Sequence, residues 1–112
     1  MRAALIAAGW LWAAAIVWLS VTPNPPHVDV AQGDKLGHLA AYGALMFWFA
    51  FLYRSPRAHI AYGVAFVALG VALEFVQGAL GYRSYEVLDM AADGAGVLAG
   101  WGCALAVRRL LD

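Results

Sequence analysis

An all-α membrane protein, built as a four-helix bundle, is the fold class this sequence predicts, and three observations predict it. Of its 112 residues, 64 % are apolar and only 12 % are charged, where a typical soluble domain has about 45–50 % and 25 %. The apolar residues gather in four windows, near residues 3–22, 36–53, 58–80 and 87–107, each close to the roughly 20 residues that cross a hydrocarbon core. Between the windows lie turn-forming and charged residues, and nothing in the chain shows the two-residue alternation, in segments of about 10 residues, of a membrane β-barrel.

The first window follows Arg2 and contains Ala13-Ala14-Ala15, which resembles a signal peptide. The apolar run continues through Ile16, Val17, Trp18 and Leu19 with no small-x-small cleavage site after it, so a retained first helix is expected. Pro23, Pro25, Pro26, Asp29, Gly33 and Asp34 then break the chain before the second window. Arg54-Ser55-Pro56-Arg57 separates the second from the third, and Gly81-Tyr82-Arg83-Ser84 the third from the fourth, with Ser84 expected to cap the last helix. Interior glycines do not weaken these assignments, because glycine is common in membrane helices. One domain spanning residues 1–112 uses the whole chain.

Lys and Arg residues set the expected orientation, since cytoplasmic loops are enriched in them. Arg2, Arg54, Arg57, Arg108 and Arg109 fall on one side, and only Lys35 and Arg83 on the other. Both termini are therefore expected in the cytoplasm, in a multi-pass protein of a bacterial plasma membrane. The formal net charge is zero, and no clustered basic surface suits nucleic acid. Cys103 is the single cysteine, which excludes an intramolecular disulfide; it reads as a small apolar packing residue.

Within this topology the polar residues of three spans converge at one level. Lys35, His38 and Tyr42 share a face of the second helix, Glu74 and Gln77 one of the third, and Asp89 and Asp93 one of the fourth. Arg83 in the adjoining link folds back over them. Ionisable residues in membrane spans face the bundle interior or a wet cavity and pair with one another, so an outward-facing polar pocket is expected. Glu74 is the most demanding member, because a carboxylate at mid-membrane costs about 2.5–3.5 kcal/mol and needs a partner.

The pattern Asp34-Lys35-x-x-His38-x-x-x-Tyr42, then Glu74-x-x-Gln77 with Arg83-Ser84, then Asp89-x-x-x-Asp93-x-x-Gly96-x-x-x-Gly100 resembles the VanZ-like family of small bacterial membrane proteins. Ser20-Val21-Thr22-Pro23 is similar to that family's Ser-x-x-Pro. The resemblance runs from about Ser20 to Gly100. It departs at Asp93, where the family has Asn. It implies an envelope-associated role, linked through the family's name to resistance to the glycopeptide teicoplanin, and supplies no catalytic mechanism.

Three readings of the pocket stay open. In one, Lys35 and Arg83 meet the phosphate of an envelope lipid or wall precursor, with Gln77, Tyr42 and Asp93 lining the site, while Glu74, Asp89 and His38 orient or deprotonate a hydroxyl. In another, His38, Glu74, Asp89 and Asp93 hold a divalent metal that activates water, although no paired-histidine motif is present and Lys35 and Arg83 oppose a cation. In the third, the polar groups only fix helix packing, and Asp34 and Asp89 serve as helix N-terminal carboxylates. Gly96 and Gly100, with Ala92 and Ala104 on the same face, form a close-packing stripe for the bundle itself or for a second copy.

Overall fold

The computed structural model describes residues 1–23, 33–81 and 86–112. They form four helices: α1 (Arg2–Val21), α2 (Gly33–Leu52), α3 (Pro56–Ala79) and α4 (Val87–Leu111). All four are long and apolar enough to cross a membrane. The shortest has 20 residues, about 30 Å at 1.5 Å per residue, which matches a hydrocarbon core. Large apolar side chains such as Trp18, Val64, Phe75, Leu88 and Leu98 point outward, as expected where lipid rather than water surrounds the bundle.

Two boundaries differ from those the sequence predicts. Helix α2 begins at Gly33, a few residues before the apolar window that opens near residue 36, and Asp34 and Lys35 stand in its first turn, on the helix where their spacing places them. Helix α4 runs through Arg108 and Arg109 to Leu111, where positive charge complements the helix dipole. Its N-cap is Glu86, which corrects the capping role expected of Ser84; residue 84 itself lies outside the described residues. Helix α3 starts as its sequence dictates, with Pro56 in its first turn and the Ser55 hydroxyl accepting a long hydrogen bond from the Ala58 N–H.

Helix α2 is the centre of the molecule, and its closest neighbour is α4. The glycine stripe explains the intimacy. A Cβ on Gly96 would lie 2.5 Å from the Leu39 carbonyl oxygen, and one on Gly100 would collide with the Gly43 carbonyl. Only glycine lets the two backbones approach this closely. The stripe is thus filled by α2 of the same chain. Toward one end, Phe49 packs among Trp10, Tyr62 and Phe66 with ring centroids 4.7 to 5.5 Å away. Helix α1 is the least embedded, and two indoles fasten it. Trp48 donates to the Leu5 carbonyl at 2.7 Å and Trp12 to the Ala41 carbonyl at 3.0 Å. Cys103 is exposed rather than packed, because its side of α4 points away from the other helices.

The chain termini and the α2–α3 turn share one end of the bundle, where Arg54 pairs with Asp112 at 3.6 Å. The ends of α1 and α3 and the starts of α2 and α4 share the other. The polar residues of the spans collect at that second end.

Candidate functional site: a carboxylate cluster around Lys35 and His38

The first turns of α2 and α4 lie side by side, and each brings carboxylates to the same place. The Lys35 ammonium sits 2.8 Å from Asp34 Oδ2, 2.7 Å from Glu86 Oε2 and 3.1 Å from Asp89 Oδ1. One turn deeper, His38 Nδ1 is 2.6 Å from Asp93 Oδ1. Its Nε2 stands 3.9 Å from Asp89 Oδ2. The i, i+3 spacing on α2 and the i, i+4 spacing on α4 therefore stack a lysine–carboxylate layer on an imidazole–carboxylate layer, with Tyr42 parallel to the imidazole below them at 6.5 Å.

Glycine again permits the arrangement. A Cβ on Gly70 of α3 would come within 2.6 Å of Asp93 Oδ2, so Gly70 is the space in which Asp93 lies. Asp93 and Glu74 are only 2 % and 1 % exposed. Glu74 reaches the cluster from α3. Its Oε1 accepts from the Glu86 backbone N–H, which ties α3 to the entry of α4, while its Oε2 is buried with no hydrogen-bond partner among the described residues. Such an atom is uncommon in a folded protein, where nearly all buried polar groups are paired.

The residues singled out from the sequence divide into groups. Lys35, His38, Tyr42, Glu74, Asp89 and Asp93 meet at this end of the bundle. Gln77 is buried beside them, but its amide is spent on α1, donating to the Ser20 carbonyl at 2.9 Å. Arg83 lies outside the described residues. The expected metal set of His38, Glu74, Asp89 and Asp93 does not form one ligand cluster. Among the described residues, the carboxylates spaced for a cation are Asp34, Glu86 and Asp89, whose oxygens lie within 4.8 Å of one another. The Lys35 ammonium contacts all three, so it occupies the position a cation would take.

Sequence reasoning missed Glu86 and Gly70. Glu86 directly precedes the fourth span, where a carboxylate is routinely read as a helix-start residue. Gly70 has no signal beyond being one glycine among 12. A separate polar contact, also unforeseen, lies near the opposite end. Trp101 Nε1 donates to His59 Nδ1 at 3.1 Å, which fixes the His59 proton on Nε2, and that nitrogen donates to the Tyr53 carbonyl. Both ring nitrogens are satisfied, so His59 is a packing residue.

In charge, the site gathers the carboxylates of Asp34, Glu74, Glu86, Asp89 and Asp93 around one lysine and one histidine. It can accept hydrogen bonds from hydroxyl or ammonium groups, and an imidazole held at Nδ1 by a carboxylate leaves Nε2 for proton transfer. No protein family, curated protein or solved structure matches the chain in comparison searches.

Proposed function

We propose that this chain is an envelope-associated membrane protein of the VanZ-like type, and that its carboxylate cluster opens outward and binds the polar headgroup of an envelope lipid or wall precursor. The orientation rests on the basic residues: five arginines gather at the end that carries the termini, and Lys35 and Arg83 belong to the other. The membrane is then a bacterial plasma membrane, and the pocket lies at the level of the outer headgroups.

Glu74 Oε2 is the observation that carries the binding reading. In a network that served packing alone, each buried oxygen would have a donor. A carboxylate oxygen with no donor among the described residues is a place for a donor supplied by a ligand. Because Lys35 already faces three carboxylates, the floor of the pocket suits a hydroxyl or an amine. A phosphate on the same headgroup would meet Arg83. The His38–Asp93 pair adds the capacity to take a proton from that hydroxyl, in the manner of an imidazole oriented by a carboxylate.

Native mass spectrometry of protein released from gentle detergent tests this, comparing the unmodified chain with Glu74→Gln and with Arg83→Ala at matched thermal stability. A defined lipid adduct that weakens in the first and disappears in the second is expected. A bare chain in all three preparations overturns the reading. A structural role is the second reading, favoured by the way Lys35, His38, Glu74 and Gln77 each link two helices. It predicts that Glu74→Gln lowers stability and leaves any adduct intact.

A further inference from the structure

At the end of the bundle opposite the carboxylate cluster, a cavity of about 530 Å³ is lined by Arg2, Arg54 and Arg108, with Phe51, Leu52, Leu111 and Asp112 completing it. That volume falls in the range of about 300–1,000 Å³ typical of small-molecule sites. Three guanidiniums against one carboxylate leave the lining with an excess of positive charge.

Two of the three arginines are held from behind. The Arg2 guanidinium lies 4.9 Å from the centre of the Tyr53 ring. Arg108 stacks on Phe51 at 5.2 Å, and one of its terminal nitrogens donates to the Ala50 and Phe51 carbonyls at the end of α2. Its Nε is buried with no acceptor among the described residues. Arg54 is highly exposed, and its contact with Asp112 at 3.6 Å is too long for a strong ion pair. Donor capacity therefore remains on Arg54, beside Arg2 and Arg108 whose orientation is already set, which lowers the ordering cost of binding an anion.

We propose that this cavity is a binding site for a phosphate group, with the planar fork of Arg54 and the other terminal nitrogen of Arg108 meeting its oxygens and Arg2 closing the third side. Arginine suits the task because its donors match phosphate oxygens in pairs. The apolar wall formed by Phe51, Leu52 and Leu111 gives the substituent of a phosphodiester a surface to lie against. The site depends on nothing in the carboxylate cluster, so the two readings stand or fall separately.

The experiment is titration of delipidated protein in neutral detergent, read by native mass spectrometry, with phosphatidylglycerol, phosphatidylcholine and glycerol 3-phosphate as probes. Two charge-matched variants accompany it: Arg2→Gln with Arg54→Gln, and Arg57→Gln with Arg109→Gln, which remove the same charge from the same end outside the cavity lining. Phosphatidylglycerol or glycerol 3-phosphate should bind at least about tenfold more weakly to the first variant, since one lost charge-assisted hydrogen bond already sets that scale and two arginines are removed, and normally to the second. Preference for phosphatidylglycerol with no competition from glycerol 3-phosphate identifies a lipid headgroup; displacement by glycerol 3-phosphate identifies a soluble phosphate. Equal losses in both variants, or no binding of either phosphate probe, would overturn the site. Arg108→Gln serves as a further variant, judged only where its melting temperature equals that of the parent.

Discussion

Lys35 shows how a residue's surroundings decide its chemistry. In sequence it is a lone cation at the edge of an apolar span, naturally matched to a phosphate. In space it is the counter-ion of Asp34, Glu86 and Asp89. Lys35→Met should therefore lower the melting temperature, by less than the loss of a fully buried pair because Asp34 and Glu86 are part-exposed. The vacated carboxylates lie within 4.8 Å of one another, a spacing that suits calcium with oxygen ligands at about 2.3–2.6 Å. Millimolar calcium should accordingly restore much of the lost melting temperature in the variant and leave the parent unchanged. An unaffected Lys35→Met melting curve would remove the counter-ion role. Asp93 gives a second prediction at this scale. Its contact with His38 needs an acceptor oxygen, not a charge, so Asp93→Asn should cost under about 1 kcal/mol, whereas Asp93→Leu strands a donor and should cost roughly 2–3 kcal/mol. Equal thermal melts for the two variants would show that the hydrogen bond contributes nothing. Helical spacing made His38, Asp89 and Asp93 legible as site members in advance. It could not reveal Glu86 or Gly70, because their roles depend on how α3 and α4 are placed against α2, and spacing within one segment carries no information about that.

Among the elements, the α2–α4 pair sets the geometry of everything else, since both carboxylate layers span it. Gly100 backs directly onto α2, whereas a Cβ on Gly102 would meet nothing within 4 Å. Gly100→Leu should thus cost roughly 3 kcal/mol or more and disturb the carboxylate cluster, because a backbone contact cannot yield as a flexible side chain would. Gly102→Leu should be nearly neutral, and thermal melting of both in the same detergent checks the contrast. Similar losses would mean that the close approach of α2 and α4 is not what the glycines provide. The four helices themselves were readable because span length, breaker residues and composition act locally. The stripe at Gly96 and Gly100 was also visible in the sequence, but its partner was not. A small-residue face announces a close neighbour without saying which helix provides it, and Gly43, the other half of the contact, has no matching glycine four residues away. Asp34 and Lys35 sit in the first turn of α2, where the spacing to His38 and Tyr42 puts them, and the carboxylates of Glu86 and Asp89 supply the partners that spacing alone does not name.

The whole molecule is polarised along its long axis, with five arginines toward one end and the carboxylate cluster at the other. The asymmetry is the ground for the proposed orientation, because arginines near the ends of spans resist transfer across the membrane. A single-cysteine comparison tests the proposed orientation. In a Cys103→Ala background, Asp34→Cys should react with a membrane-impermeant maleimide in intact spheroplasts, and Arg57→Cys should react only after permeabilisation. Asp34 and Arg57 are both exposed, and they mark opposite ends of the bundle, so burial does not confound the comparison. The reverse pattern would turn the carboxylate cluster toward the cytoplasm and remove wall precursors on the outer surface from the candidate ligands. It would also place the arginine cavity in the outer leaflet, away from the negative surface potential of cytoplasmic lipids. The labelling pattern therefore decides which leaflet each cavity samples, and with it which headgroups either site can meet in the cell.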